Sequence, residues 1–254
     1  MKKKDLISII VPTFNGLTYL KQMMDSVQKN TKWPFELIII DNASNDGTQD
    51  FILNSDYTMD GQYLRNEENM GFAIANNQGA EVAKGDFICF LNNDTIVTKG
   101  WLTAMMNVFS EEKAVGMVGA RLVHPGQGTI QHAGVVRLSS GVPDHINFKK
   151  HMNHPDVMER KQYFAVTAAC AVMPKQLFNE MGGFDERYWC GWEDMDLCQK
   201  VRRAGYQIIY EPTSLVYHYE SRTEGRYAKE DSNFALYMGR WELNKNEQNR
   251  RATT

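Results

Sequence analysis

The sequence predicts an α/β protein built on a doubly wound, mostly parallel sheet. Two observations carry that prediction. LISIIVP (Leu6–Pro12), FELIIID (Phe35–Asp41) and DFICFLNND (Asp86–Asp94) are apolar along nearly their whole length, as expected of strands buried on both faces. Between them apolar residues recur at helical spacing, so strand and helix alternate through the first half of the chain. The 254 residues have room for one large domain or two small ones, and with no Gly/Ser/Pro-rich linker one is the economical reading.

After the first strand, Leu17, Leu20, Met24 and Val27 mark one face of a helix. The second strand ends in Asp41 and enters the polar turn NASNDGT, with a short helix from about Thr48. Ala73 to Lys84 reads as a helix closed by Gly85. The third strand ends in Asn92-Asn93-Asp94, Leu102 to Phe109 is helical, and VGMVGARLV (Val115–Val123) is extended. From His124 to about Tyr163 the pattern lapses. Five of the six histidines fall there, and the stretch reads as a long loop or a hairpin over the site. Phe164–Met173 is strand-like, and a short helix from Pro174 stops at Gly182-Gly183. An acid-rich helix opens in GWEDMDLCQKVRRAGY (Gly191–Tyr206), followed by two short strands in YQIIYEP and SLVYHYE. The charged, Tyr- and Trp-containing end reads as a docked helix or arm with a frayed tail. The expected division is residues 1–220 as the main domain and 221–254 as an arm packed on it.

Composition excludes several classes. The net charge of −3 offers no basic field for nucleic acid. No stretch approaches the roughly 20 apolar residues of a membrane span. Met1-Lys2-Lys3-Lys4 starts like a signal peptide, but its apolar run is short and ends in a proline. The four cysteines lack CxxC spacing, which points to reduced thiols and a cytoplasmic protein, with the inner membrane face as a further option. No GxGxxG follows a strand, against a dinucleotide oxidoreductase. PTFNGLTYL is not the Gly- and Arg-rich loop that a nucleotidyltransferase needs.

In a parallel sheet ligands bind at the carboxyl ends of the strands, so Asn15, Asp41 and Asn92-Asn93-Asp94 should share one edge. Asp94 is either a loop residue or a ligand for a hard divalent cation, which often takes only one or two protein carboxylates beside substrate phosphates. Asp41 either caps its turn or accepts the N3–H of a uracil or thymine ring. His218, in VYHYE, is either structural or a nitrogen ligand of the kind Mn²⁺ tolerates. The spaced pair His151 and His154 lies in a polar loop with no HExxH motif and no cysteine partner, and reads as loop residues. Glu193, Asp194 and Asp196 crowd a helix entrance, where the dipole rewards each exposed acid by about 0.3–1 kcal/mol. Trp189 and Trp192 beside them suggest a sugar stacked on an indole with a carboxylate on its hydroxyl. Asp194 is thus a candidate general base.

ISIIVPTFN, LIIIDNASNDGT, NMGFAIANNQG, FLNND, GGFDE, WEDMDLCQKVRRAGY and VYHYES, in this order from Ile7 to Ser221, resemble glycosyltransferase family 2, the inverting transferases of GT-A fold. Among its branches the series is most similar to bacterial rhamnosyltransferase-like enzymes of polysaccharide assembly. The resemblance implies that Pro12, Thr13, Phe14 and Asn15 frame a nucleotide base read by Asp41. It implies that Asn69, Gly71, Phe72 and Asn76 line the base and ribose, with Asn92 and Asn93 beside them. Asp94 and His218 would bind Mn²⁺ or Mg²⁺, Asp194 would be the base supported by Glu193, and Trp192 with Trp189 would form the acceptor pocket. The implied partners are a UDP- or dTDP-sugar donor and a glycan or lipid-linked acceptor, and the C-terminal arm is a candidate surface for a homodimer. An acid usually stands where this chain has Asn92 or Asn93. That departure supports the alternative, a degenerate homologue that binds nucleotide or glycan without turnover.

Overall fold

The computed structural model describes residues 5–55, 61–220 and 228–251, with 242–251 as helix backbone alone. The lysine-rich start, residues 221–227 where the expected arm begins, and the tail beyond Arg251 lie outside the described residues. In chain order the first elements are β1 (Ile7–Thr13), α1 (Leu17–Asn30), β2 (Phe35–Asp41), α2 (Thr48–Leu53), β3 (Gln62–Arg65) and α3 (Gly71–Val82). Next come β4 (Phe87–Leu91), β5 (Thr95–Val97), α4 (Trp101–Glu111), β6 (Val115–His124), β7 (Thr129–His132), β8 (Val135–Arg137) and β9 (Pro143–His145). The last are β10 (Lys161–Gln162), β11 (Cys170–Pro174), α5 (Lys175–Glu180), α6 (Glu193–Arg203), β12 (Gln207–His218) and α7 (Glu230–Arg251).

The main sheet runs β10-β12-β6-β11-β4-β1-β2-β3, with β5 added to β12 and β7 to β6, while β8 and β9 pair separately. β3, β2, β1 and β4 are mutually parallel, as are β6 and β12. β11 is antiparallel to both β4 and β6, so β6 and β12 point the same way as β4. The sheet is therefore mixed but mostly parallel, an α/β fold. One edge gathers the carboxyl ends of β1, β2, β4 and β12 with the amino end of β11. Thr13 is in register with Asp41, and Cys170 with Leu91. The two strands expected after Gly205 are one, β12, with a register shift between Glu211 and Leu215 around Pro212. Such a bulge lets a strand carry a proline whose missing N–H would interrupt the ladder.

Alternate residues of each strand enter different layers. Ile10, Ile38, Ile88, Phe90, Ala171 and Met173 pack with α3, α5, α6 and α7. Ile9, Val11, Ile39, Cys89, Leu91 and Val172 pack with α1 and α4 on the other face. Each such Ile, Leu or Phe, fully buried, contributes about 1.5–3 kcal/mol. This is why the strands read as continuous apolar runs.

α6 begins without a side-chain cap, its cap residue Trp192 at φ 75°. Acids in its first turn and Lys200, Arg202 and Arg203 in its last oppose the helix dipole, and Gly205 at φ 89° ends it. α7 lies against α6 with Tyr237 and Trp241 buried. The Trp241 indole donates to Asp196 Oδ1 at 2.9 Å, and Arg240 reaches Asp196 and Asp185. Asn233 donates to the carbonyls of Cys190 and Gly191 at 2.8 and 3.0 Å, fixing the loop that leads into α6.

Candidate active site

A cleft of about 520 Å³ opens along the gathered edge. Asp94 and His218, far apart in sequence, meet at its floor, His218 Nε2 being 3.0 Å from Asp94 Oδ1. Both are nearly buried. His218 Nδ1 faces Gln131 Oε1 at 2.7 Å. The amide oxygen only accepts, so Nδ1 carries the proton and Nε2 presents a lone pair. A lone pair and a carboxylate oxygen at 3.0 Å repel unless a proton or cation lies between them. Asn92 stands beside them, its Nδ2 3.2 Å from His218 Nε2 and its buried Oδ1 without a hydrogen-bond partner. An anionic oxygen, an imidazole lone pair and an orphaned amide oxygen suit a divalent cation. Among the described residues no group of three or more His, Cys, Asp or Glu could hold a metal. The remaining ligands would have to come from elsewhere, such as a bound diphosphate.

Pro12, Thr13, Phe14, Asn69, Gly71, Phe72, Asn92 and Asn93 line the cleft as the sequence places them. Asn93 donates to Thr13 Oγ1 at 2.8 Å, tying the ends of β4 and β1 together. Gly71 at φ 83° is required. A Cβ there would sit 2.3 Å from the Trp189 carbonyl oxygen, to which the Phe72 N–H donates at 2.7 Å. Three expected residues are not brought into the cleft. Asp41 is fully buried, and its carboxylate accepts from the Ser44 N–H at 2.8 Å, the Tyr63 hydroxyl at 2.7 Å and the Arg65 guanidinium. This is the turn-capping arrangement rather than an acceptor held out to a base. Asn15 (φ 48°) accepts from the Asn45 N–H at 2.8 Å and stitches β1 to the turn after β2. Asn76 is buried inside α3 and donates to the Phe72 carbonyl at 2.9 Å. Asn42, which sequence reasoning passed over, does line the cleft, donating to the Gly71 carbonyl at 3.1 Å.

Asp194 also lines the cleft, its Oδ2 accepting from the Ala168 N–H at 3.1 Å and its Oδ1 from the Met195 N–H at 2.8 Å. Two backbone donors fix the carboxylate and leave it lone pairs for the cleft. Glu193 is buried beside it. Trp189 and Trp192 also line the cleft. The Trp192 indole donates to Glu230 Oε1 at 2.9 Å and packs on Phe234 and Tyr237, so the arm holds this ring in place. Glu230 itself joins the lining.

The segment between His124 and Tyr163 folds as β7, the β8–β9 hairpin, a short helical turn and β10. It contributes His132, Asp144, His145 and Phe148 to the cleft. Histidine density was the one signal that could have found them, without saying which histidines turn inward. His151 and His154 accept from the N–H groups of Asn153 and Asp156, as local turn residues.

A family model described as "Glycosyl transferase family 2" matches residues 8–182. The chain belongs to glycosyltransferase family 2. A second model, the "N-terminal domain of galactosyltransferase", matches residues 149–223. Among curated relatives, an uncharacterized protein of Sinorhizobium fredii is 34% identical over 89% of this chain and 26% of its own length. The O-antigen biosynthesis protein RfbC of Myxococcus xanthus is 28% identical, over 85% of this chain and 17% of its own. The chain thus spans about a quarter or less of these two. A Mycobacterium tuberculosis N-acetylglucosaminyl-diphospho-decaprenol L-rhamnosyltransferase is 22% identical over 87% of this chain and 78% of its own. These relatives place the chain on the rhamnosyltransferase-like side of the family. Two solved structures share its GT-A fold. GalNAc-T7 with UDP, GalNAc and Mn²⁺ has TM-score 0.70 and 20% identity over 86% of this chain and 44% of that one. The Pyrobaculum calidifontis mannosyltransferase PcManGT with GDP-Man and Mn²⁺ has TM-score 0.65 and 18% identity over 89% and 60%. No helix among the described residues is long and apolar enough to cross a membrane.

Proposed function

We propose that this family 2 glycosyltransferase is a metal-dependent, inverting enzyme. It moves a hexosyl or deoxyhexosyl group from a UDP- or dTDP-sugar to a hydroxyl of a glycan or lipid-linked acceptor in bacterial polysaccharide or glycoconjugate synthesis. The observation that carries the reading is the pairing of Asp94 with His218 at 3.0 Å in a cleft that Asp194 also lines. The catalytic unit in this reading is residues 1–220 with the arm packed on it. It works in the cytoplasm, where the four cysteines stay as thiols, or at the inner membrane face.

Asp94 and His218, with Asn92 beside them, hold Mn²⁺ or Mg²⁺. A cation there supplies Lewis-acid stabilisation of the charge that grows on the leaving diphosphate. Pro12, Thr13, Phe14, Asn42, Asn69, Gly71 and Phe72 form the nucleotide wall, with Asn93 bracing its floor. Asp41 serves that wall from beneath by fixing Tyr63 and Arg65. Asp194 accepts the proton of the acceptor hydroxyl while that oxygen bonds to the sugar C1. The C1–O bond to the diphosphate breaks and its electron pair leaves with the diphosphate. One displacement inverts the anomeric centre, and holding both partners in line supplies much of the acceleration. Glu193, buried at the same helix entrance, supports the charge balance around Asp194, and Trp189 and Trp192 offer ring faces to the acceptor.

The test is thermal stability against UDP, dTDP, GDP and CDP, with and without Mn²⁺, for the native protein and Asp94→Ala. A Mn²⁺-dependent rise with UDP or dTDP, lost in Asp94→Ala, supports the donor site and selects the nucleotide for a sugar screen. No rise with any nucleotide at millimolar concentration overturns the reading.

A further inference from the structure

The cleft holds a second pair of titratable side chains, His132 on β7 and His145 on β9, which the displacement above does not use. His132 is buried, and its Nε2 accepts from the backbone N–H groups of Gly134 at 3.3 Å and Thr167 at 3.4 Å. Backbone N–H groups only donate, so this nitrogen keeps its lone pair and the ring proton sits on Nδ1. His132 Nδ1 faces His145 Nδ1 at 3.1 Å, with the rings nearly perpendicular at 82°. Two ring nitrogens this close need one donor and one acceptor. His145 therefore accepts at Nδ1 and carries its own proton on Nε2. A charged His145 would set a second proton against the Nδ1–H of His132, which cannot move to the occupied Nε2.

Both rings line the same cleft as Asp94, His218 and Asp194. Burial, and then the repulsion that a charge on His145 or His218 would exert, hold His132 well below the usual imidazole range. His145 is exposed on β9, and the desolvation of the part of its ring that faces the cleft lowers it as well, against the pull of Asp194, Asp144 and Glu220. One member thus feels the Asp94–His218 corner and the other feels Asp194. A histidinium beside Asp194 would pair with that carboxylate and weaken it as a base. A neutral N–H donor leaves the base intact.

We propose that His132 is a positioning residue that locks His145 as a neutral Nε2–H donor, and that His145 holds a sugar hydroxyl oxygen in the cleft and so selects the hydroxyl pattern the enzyme accepts. The assignment rests on the glycosyltransferase reading. The hydroxyl belongs either to the transferred sugar or to the acceptor, and both present the same chemistry.

Two measurements on the full chain test it. The first is long-range nitrogen–proton NMR of ¹⁵N-histidine-labelled protein near neutral pH. It is expected to show neutral rings, protonated at Nδ1 in His132 and at Nε2 in His145. An imidazolium or an Nδ1–H tautomer at His145 overturns the lock. The second is turnover of His145→Leu and His145→Gln with the nucleotide sugar chosen by the screen above. His145→Leu is expected to lower kcat/KM about tenfold, the loss of one hydrogen bond. His145→Gln, which keeps an N–H, should recover most of it. A rise in donor KM assigns the hydroxyl to the transferred sugar, and a rise in acceptor KM assigns it to the acceptor. Native kinetics for both substrates in His145→Leu overturn the hydroxyl contact. In His132→Leu a histidine titration near the ordinary value of about 6.5 should enter the kcat/KM profile. If no nucleotide sugar turns over, the functional reading fails, while the NMR measurement still decides the lock.

Discussion

Asp196→Asn should unfold the protein more easily, although Asp196 does not line the cleft. Asp196 is fully buried, and its carboxylate meets the Trp241 indole N–H at 2.9 Å, the Arg240 guanidinium at 3.0 Å and the Lys200 ammonium at 3.3 Å. Asparagine keeps the shape and one oxygen but removes the charge and sets an NH₂ group against cationic donors. Breaking a buried pair by removing one partner costs about 3–5 kcal/mol. The Arg240 side chain is 31% exposed and can turn to water, which places the loss at the lower end, about 3 kcal/mol. For a domain of this size each kcal/mol moves Tm by about 2–4 °C, so a drop of about 6–12 °C is expected by calorimetry. Asp194→Asn, two positions earlier, keeps one oxygen for the Ala168 and Met195 N–H groups and sets its NH₂ against the other donor. It should lose about 1–3 kcal/mol by urea denaturation while turnover disappears. An Asp196→Asn protein that melts within a degree of the native one would falsify the docking role given to this carboxylate.

Gly71→Ala forces a side chain into left-handed backbone, costing about 1–2 kcal/mol, and drives its Cβ against Trp189. Tm should fall and nucleotide affinity by titration calorimetry should weaken; unchanged affinity would mean the Trp189–Gly71 contact does not shape the nucleotide wall. Cys89, Cys170 and Cys198 are buried, and burial pushes the Cys198 thiol up to about 12, while Cys190 is partly exposed on the cleft. Ellman's reagent should find one reactive thiol in the native protein and four in denaturant, and bound nucleotide sugar should slow the native reaction. Tyr63 is raised from 10.0 to about 12, first by burial and then by its hydrogen bond to Asp41. Its folded pKa is above the unfolded value, so its contribution to stability is complete below pH 10 and is lost as pH rises toward 12. Phenolate absorbance should show this tyrosine titrating above the ordinary range with Asp41 present and earlier in Asp41→Asn.

The long apolar strands and the edge where their ends meet were legible because burial on both faces writes itself as an unbroken apolar run. Direction was not. β11 has the same composition as its parallel neighbours, and only its pairing with β4 and β6 shows it reversed. Side-chain destination was equally hidden at strand ends. Asp41 and Asn42 are adjacent, yet the first turns under the sheet to Tyr63 and Arg65 and the second lines the cleft. Polarity is the same at both positions, and the difference lies in partners more than twenty residues away. The Asp94–His218 pair depends on the end of β12 pairing with β5, which sets His218 opposite Thr95, a contact that no local spacing records. His132 and His145 sat in a stretch without periodicity because β7, β8 and β9 are three or four residues long, too short for a period to register.

The crowd of acids at the head of α6 resolves once helical geometry is applied to it. Successive residues turn by about 100°, so Asp194 and Asp196 project on nearly opposite faces. One meets the cleft and the other meets α7. Glu193, between the cap and Asp194, is buried where both surfaces close. Dipole compensation accounts for acids in this turn but not for their separate partners. A single turn can serve the site and the arm together because its position is set twice. Ala168 and Met195 hold Asp194 from the sheet side, while Trp241, Arg240 and Lys200 hold Asp196 from the other. The Trp192 ring is then pinned by Glu230, Phe234 and Tyr237 of the arm. The Trp192 side of the cleft is therefore built on the packing of α7 against α6, and a loss of that packing reaches the cleft through Trp192 before it reaches the sheet.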